Sequence, residues 1–392
     1  MLNAVGSTRP RIREATTTKF RPRVLVTAFA LVIAVSAPAT QRTAAAQVVR
    51  SVNLELWLSA VRGHVPGQSD RAVALIAPWT RRDLEAVLSE VRRLPPVDGP
   101  LLKRAAVLHA DIAVLHRGYS GYSLPSDGQS VDFVEDGRVV SRASGTAHWG
   151  IGRRLLELLK PDDDVRLWYA ATSACLQSWG EFSELEPHLG RARALFPRDG
   201  LLLLYEGSLR AAYAEPRFQN LVNPRSPGTR RPPGVGDAKK EQQEAERRFE
   251  EALERDPDLT EARIRLGHVR GLLGRHEEAA ADLRSAVEGG PKGRMEYYAW
   301  LLLGREEEAV GRPEAARDAF ARAMTLYPRA QSPRLGLSLL ARAKGERAAA
   351  RVALDLLSDE APSGQDPWWS FHKRHEPGVD ELFAQMRSRL AP

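Results

Sequence analysis

Cysteine is nearly missing from this chain: Cys175 stands alone among 392 residues. That excludes an intrachain disulfide framework and leaves apolar and aromatic burial, with eight Trp and eight Tyr, to supply the core. Long apolar runs are also lacking. The longest, "VLVTAFALVIAVSA" from Val24 to Ala37, has 14 residues, short of the roughly 20 that a membrane-crossing helix needs. There is no Gly-rich phosphate loop and no nucleophile elbow, so two common routes to nucleotide and acyl chemistry are not signalled. "HEEAA" at His276 to Ala280 opens like a zinc-protease helix but has Ala where the second His belongs. No cofactor or metal site is expected from such a pattern.

The net charge of +7 suggests a polyanion partner until it is located. Residues 1–46 hold Arg9, Arg11, Arg13, Lys19, Arg21, Arg23 and Arg42 against Glu14 alone. Six of the seven excess charges therefore lie in the first 46 residues, and the remainder is close to neutral. A nucleic-acid partner is not expected.

That basic stretch, the apolar run behind it and the small residues that follow have the order of an export signal. Two cleavage sites fit, after Ala39 in "APA" and after Ala46 in "AAA". The second is favoured because a helical pattern begins soon after Gln47. The expected product is exported and periplasmic or secreted, without a transmembrane span; an uncleaved leader would instead anchor it.

From Val165 to Leu357 apolar residues recur at helical spacing in short blocks closed by Gly, Asp or Pro. "GRHEEAAADLRSAVEGGP", Gly274 to Pro291, returns 37 residues later as "GRPEAARDAFARAMTLYP", Gly311 to Pro328. With Gly267 set at position eight of a unit, Leu266 falls at seven, Gly274 at fifteen, Ala279 at twenty, Leu283 at twenty-four, Ala286 at twenty-seven and Pro291 at thirty-two. The next unit places Trp300, Leu303, Gly304, Gly311, Ala316, Phe320, Ala323 and Pro328 in the same columns. Upstream, Ala245, Phe249, Ala252 and Pro257 supply a second helix, with its Pro 34 residues before Pro291. Small residues at eight and twenty permit close helix approach, and Pro at thirty-two stops the second helix.

These columns closely resemble the tetratricopeptide repeat. The resemblance implies an all-α, right-handed superhelical solenoid of antiparallel helix hairpins. Arg270 and Glu307 depart from it, standing at position eleven where the family prefers Tyr. A weaker unit covers Trp168 to Pro197, with Cys175 read as a small buried residue, and another begins around Leu203 and Gly207. In that unit about 26 residues are inserted between the helices, much of them in "PRSPGTRRPPGVGDAKK". The last hairpin runs from Pro333 to Leu357.

The expected organisation is a leader at 1–46, a helical N-terminal region at 47–160, repeats at 161–357 with an insertion at 217–240, and a capping segment at 358–392. "VNLELWLSAV", "DRAVALIAPW", "RRDLEAVLSEVRRL" and "PLLKRAAVLHADIAVLHRG" read as four amphipathic helices in degenerate hairpins. A loop or hairpin at 118–147 interrupts them, with "VDFVEDGRVV" turning at Asp136-Gly137. Trp368, Trp369 and Phe371 are expected to form the apolar face of a cap over the last hairpin. His372 and His375, three apart, lack a convincing third ligand.

The family resemblance implies a concave groove lined by first helices at positions two, five and nine. Here those are Glu261, Ile264 and His268 from one unit and Tyr298, Leu301 and Arg305 from the next. The two-lysine and asparagine carboxylate clamp of co-chaperone members is absent, which favours a protein or peptide segment with apolar side chains. The sequence reading is a non-catalytic interaction scaffold of the cell envelope. The rivals are an enzyme built around His109, Asp111, His116 and His148, and a structural protein whose stacks associate end to end. The basic insertion, with Arg217, Arg225, Arg230, Arg231, Lys239 and Lys240 against Asp237, would be solvated, touch an acidic partner, or fold over the groove.

Overall fold

The computed structural model describes residues 53–93, 98–118, 133–135, 138–140, 143–216, 219, 236–351, 366–371 and 378–392. The leader, most of the insertion, the side chain of His116, and His372 and His375 lie outside the described residues.

The described residues begin with four helices: α1 (53–63), α2 (Arg71–Ile76), α3 (Arg81–Val91) and α4 (Gly99–Gly118). Their starts follow from local chemistry. Asp70 accepts the Val73 amide, and Thr80 and Asp83 form a reciprocal capping box. β1 (Phe133–Glu135) and β2 (Arg138–Val140) pair antiparallel with Glu135 opposite Arg138; the turn expected at Asp136-Gly137 lies outside the described residues. α5 (Ala143–Leu156) then packs along α4 and against α3. Trp57, Ile76, Leu84, Leu88, Leu108, Ile112 and Leu155 fill the core of this region.

Helical hairpins follow in succession: α6 (Asp163–Trp179) with α7 (Phe182–Leu195), α8 (Gly200–Tyr213) with α9 (Ala238–Arg255), α10 (Thr260–Leu272) with α11 (His276–Glu288), α12 (Arg294–Ala309) with α13 (Pro313–Leu326). α14 (Gln331–Ala343) packs on α13 and is followed by a helix described over 347–351, α15. First helices also stack on one another, α6 on α8, α8 on α10, α10 on α12 and α12 on α14. They form one layer, and each second helix bridges its partner and the next first helix.

The repeat columns acquire their physical meaning here. A Cβ on Gly304 would lie 2.6 Å from the Phe320 ring, on Gly207 2.6 Å from Phe249, and on Gly267 2.7 Å from Leu283. Position eight is glycine because the bulky side chain at twenty-four lies directly over it. The position-fifteen glycines Gly180, Gly274 and Gly311 have φ of 72°, 83° and 84°, which lets the chain turn out of the first helix. Position eleven exchanges Tyr for charge. Arg270 reaches Glu246 at 3.1 Å, Glu250 at 2.6 Å and Asp282 at 2.7 Å, tying α10 to both neighbouring second helices. Glu307, buried at the same column, takes Arg284 and Arg312 at 2.8 and 2.6 Å.

The chain end takes a path that the capping expectation did not include. A short 3₁₀ helix, Pro367–Ser370, lies against α12, and α16 (Gly378–Leu390) packs on α6 and α4. Phe383, Met386 and Leu390 enter the core shared by α4 to α8, while Phe371 enters the core of α10 to α14. The two ends of the hairpin stack are thus joined through one C-terminal tail.

Candidate partner-binding groove

The six nominated groove residues lie on α10 and α12, and the groove they line holds part of the protein's own tail. Asp366 and Pro367 set the occupying segment. The Asp366 carboxylate accepts the Trp368 amide at 2.9 Å, and Pro367 takes the first helical position, where its missing N–H costs nothing.

The grip is a mixture of backbone capture and ring packing. Tyr298 donates its hydroxyl to the Pro367 carbonyl at 2.7 Å, and Arg265 donates to the Phe371 carbonyl at 3.2 Å. Arg265 is itself held by Glu261 at 2.8 Å. The Phe371 ring meets Tyr298 edge-on at 5.0 Å and His268 at 5.1 Å, with the Arg265 guanidinium 4.8 Å from its centroid. Trp368 stacks on Phe371, meets His268 edge-on at 5.5 Å, and has Arg305 5.6 Å from its centroid. Ile264 and Leu301 are buried in the same apolar cluster as Phe371. Trp369 points away and is 63% exposed. The aromatic residues expected over the last hairpin lie instead on the layer of first helices.

Asp366 has the most specific surroundings. It is buried, and its oxygens accept from the Tyr297 hydroxyl at 2.7 Å and from the Ser332 amide and hydroxyl at 2.8 and 2.7 Å. Ser332 lies in the first turn of α14, whose N-cap residue, Ala330, offers no side-chain cap. The segment's carboxylate supplies that cap from outside the helix. Burial, followed by the Asp366 carboxylate it donates to, pushes the Tyr297 hydroxyl well above the ordinary phenol range, so it remains a donor.

Arg265, Tyr297 and Ser332 escaped the sequence reading because only positions two, five and nine were counted. A signal existed for one of them: Glu261 and Arg265 are four residues apart, the spacing of a helical ion pair.

The rival cluster is also brought together. Trp57 donates to His109 Nε2 at 3.1 Å, and His109 Nδ1 meets His148 Nδ1 at 2.8 Å. With Nε2 accepting, neutral His109 carries its proton on Nδ1 and donates it to His148. Burial, then the nearby charge of His64, holds His109 down to about 3, so it is neutral at pH 7. His64 stands between Asp70 and Asp111, 3.0 Å from each. His64, His109 and His148 are fully enclosed and Asp111 is 1% exposed. The two pairs are close enough for the charge of His64 to act on His109. Among the described residues no group of three or more His, Cys, Asp or Glu side chains is placed to hold a metal, and no helix is long and apolar enough to cross a membrane.

No family profile matches the chain, and no curated protein matches its sequence. Solved structures similar to it include MamA, at 16% identity over 49% of this chain and 88% of that one with a TM-score of 0.36. MamA 41-end from Desulfovibrio magneticus RS-1 aligns at 18% identity over 51% and 99%, TM-score 0.38. YrrB, described as a TPR protein with an unusual peptide-binding site, aligns at 19% over 52% and 89%, TM-score 0.37. Paired helices, stacked first helices and glycines seated under the bulky residue at twenty-four make the described residues between 163 and 343 an all-α, tetratricopeptide-like solenoid.

Proposed function

We propose that the protein is a non-catalytic interaction scaffold of the cell envelope that holds a short segment of a partner protein against α10, α12 and α14. The observation that supports this reading is the seating of 366–371, in which side chains of the repeats grip backbone carbonyls and two rings. The occupying segment is a single 3₁₀ turn, held by two of its carbonyls and by its rings. Export rests on the basic stretch, the apolar run and the small-residue cleavage sites before Gln47.

The test is affinity capture from the cell's own envelope extract by the chain carrying Trp368→Ala and Phe371→Ala, which loosen the tail's hold on the groove. The same chain with Tyr298→Ala and Arg305→Ala added is run beside it. A protein held by the first and lost from the second, with helical circular dichroism equal in both, is the expected outcome. Equal capture by both, or none by either, would remove the groove from the function. N-terminal sequencing of the exported chain should begin at Gln47.

A further inference from the structure

The groove's own occupant describes the chemistry of what the groove selects. Resting on the interaction-scaffold reading above, we propose that the partner's segment carries a carboxylate, a proline and two apolar rings in the spacing of Asp366, Pro367, Trp368 and Phe371, and that it binds by displacing 366–371.

The carboxylate is the first determinant. Three donors from two different helices, the Tyr297 hydroxyl and the Ser332 amide and hydroxyl, converge on Asp366, and α14 has no cap of its own. Glutamate would push the oxygens about one methylene farther, and a neutral amide would lose the charge-assisted bonds. Proline is the second. It sets the turn in which the Asp side chain receives the next-but-one amide, presenting the carboxylate to α14 and the first ring to Arg305 within one short segment. The two rings are the third, stacked at 5.1 Å and closed in by His268, Tyr298, Arg265 and Arg305. Between them Trp369 is turned outward, so that column is free to vary. The result is an aspartate, proline, an aromatic, one unrestricted residue, a half-buried small residue and an aromatic.

Nothing in these contacts requires the segment to be covalently part of the chain. The grip engages side chains and two carbonyls within six residues, and the sequence on either side, "SDEAPSGQ" before and "HKRHEPG" after, continues no apolar periodicity of the repeats. α16 makes a separate attachment, through Arg389 to Asp163 and Asp164 and Arg387 to Asp111. Displacement of 366–371 therefore leaves that second attachment untouched.

The experiment uses a fluorescently labelled synthetic peptide, GQDPWWSFHK, titrated by anisotropy into the full chain and into two variants. One carries Asp366→Asn, Trp368→Ala and Phe371→Ala; the other carries only Asp366→Asn, which keeps the apolar contacts if the triple variant loses its fold. The peptide should bind either folded variant at least tenfold tighter than the unsubstituted chain, since the tethered segment no longer competes at high effective concentration. A peptide with Asn for its Asp, or Ala for its first Trp, should bind at least tenfold weaker. Equally weak binding to the unsubstituted chain and the variants would make 366–371 a permanent part of the core and overturn the inference. So would a dimeric mass for the unsubstituted chain that becomes monomeric in the variants, which would assign the groove to a second copy. If envelope capture still depends on Tyr298 and Arg305 while this peptide fails, the selectivity falls and the scaffold reading stands.

Discussion

Arg387 and Asp111 meet across 276 residues of chain, with two guanidinium nitrogens 2.9 and 2.8 Å from one carboxylate oxygen. The other oxygen faces His64 at 3.0 Å and accepts the Gly67 amide at 2.7 Å. Since Asp111 is 1% exposed, its charge has no water to fall back on.

Arg387→Ala should therefore cost about 1.5–3 kcal/mol, the range for hydrogen bonds to charged groups when one partner is removed. Arg389→Ala, which breaks solvent-screened pairs with Asp163 and Asp164, should move the midpoint less than Arg387→Ala does. Urea unfolding of both variants checks this, and equal midpoints would show that Arg387 does not anchor α16.

A pair of glycine substitutions separates packing from helix propensity. Gly304→Ala forces a methyl to 2.6 Å from the Phe320 ring, and overpacking of this kind costs about 1–3 kcal/mol. Gly190→Ala, inside α7 with nothing within 4 Å of the new methyl, should stabilise by about 0.5–1 kcal/mol. A thermal midpoint that rises for both would mean that Phe320 is not seated over position eight.

Acid should weaken the fold before its carboxylates titrate. Burial holds His109 and His188 down to about 3, with the charge of His64 a smaller cause for the first and that of Arg153 for the second. The unfolded chain protonates both near 6.5, so between pH 6.5 and about 3 it binds more protons than the native state and stability falls with pH. Each histidine should remove about 2 kcal/mol between pH 7 and pH 5. Urea midpoints over that interval measure the slope, and His188→Gln should reduce it by about half. A flat profile would show that neither imidazole is enclosed.

The hairpin stack was legible because close packing of one hairpin on the next demands the same small and bulky residues in every copy, a constraint that repeats along the chain. The N-terminal helices were read from their apolar periodicity, and Asp70, Thr80 and Asp83 cap two of them in the structure. Six candidate groove residues could be nominated from column positions alone. That the groove is filled could not, because the contacts of Tyr297 with Asp366 and Tyr298 with Pro367 join residues 69 apart and leave no periodic trace.

By itself, then, the sequence determined a solenoid of helical hairpins, through steric columns such as Gly304 under Phe320 and Gly267 under Leu283 that recur in each hairpin. Only the tertiary structure decided where the tail goes: Phe371 into the core of α10 to α14, Leu390 into the core of α4 to α8, and the Asp366 carboxylate onto a helix end that has no cap of its own. Those choices depend on which distant surfaces lie within reach once the stack is built, and reach is a property of the folded chain.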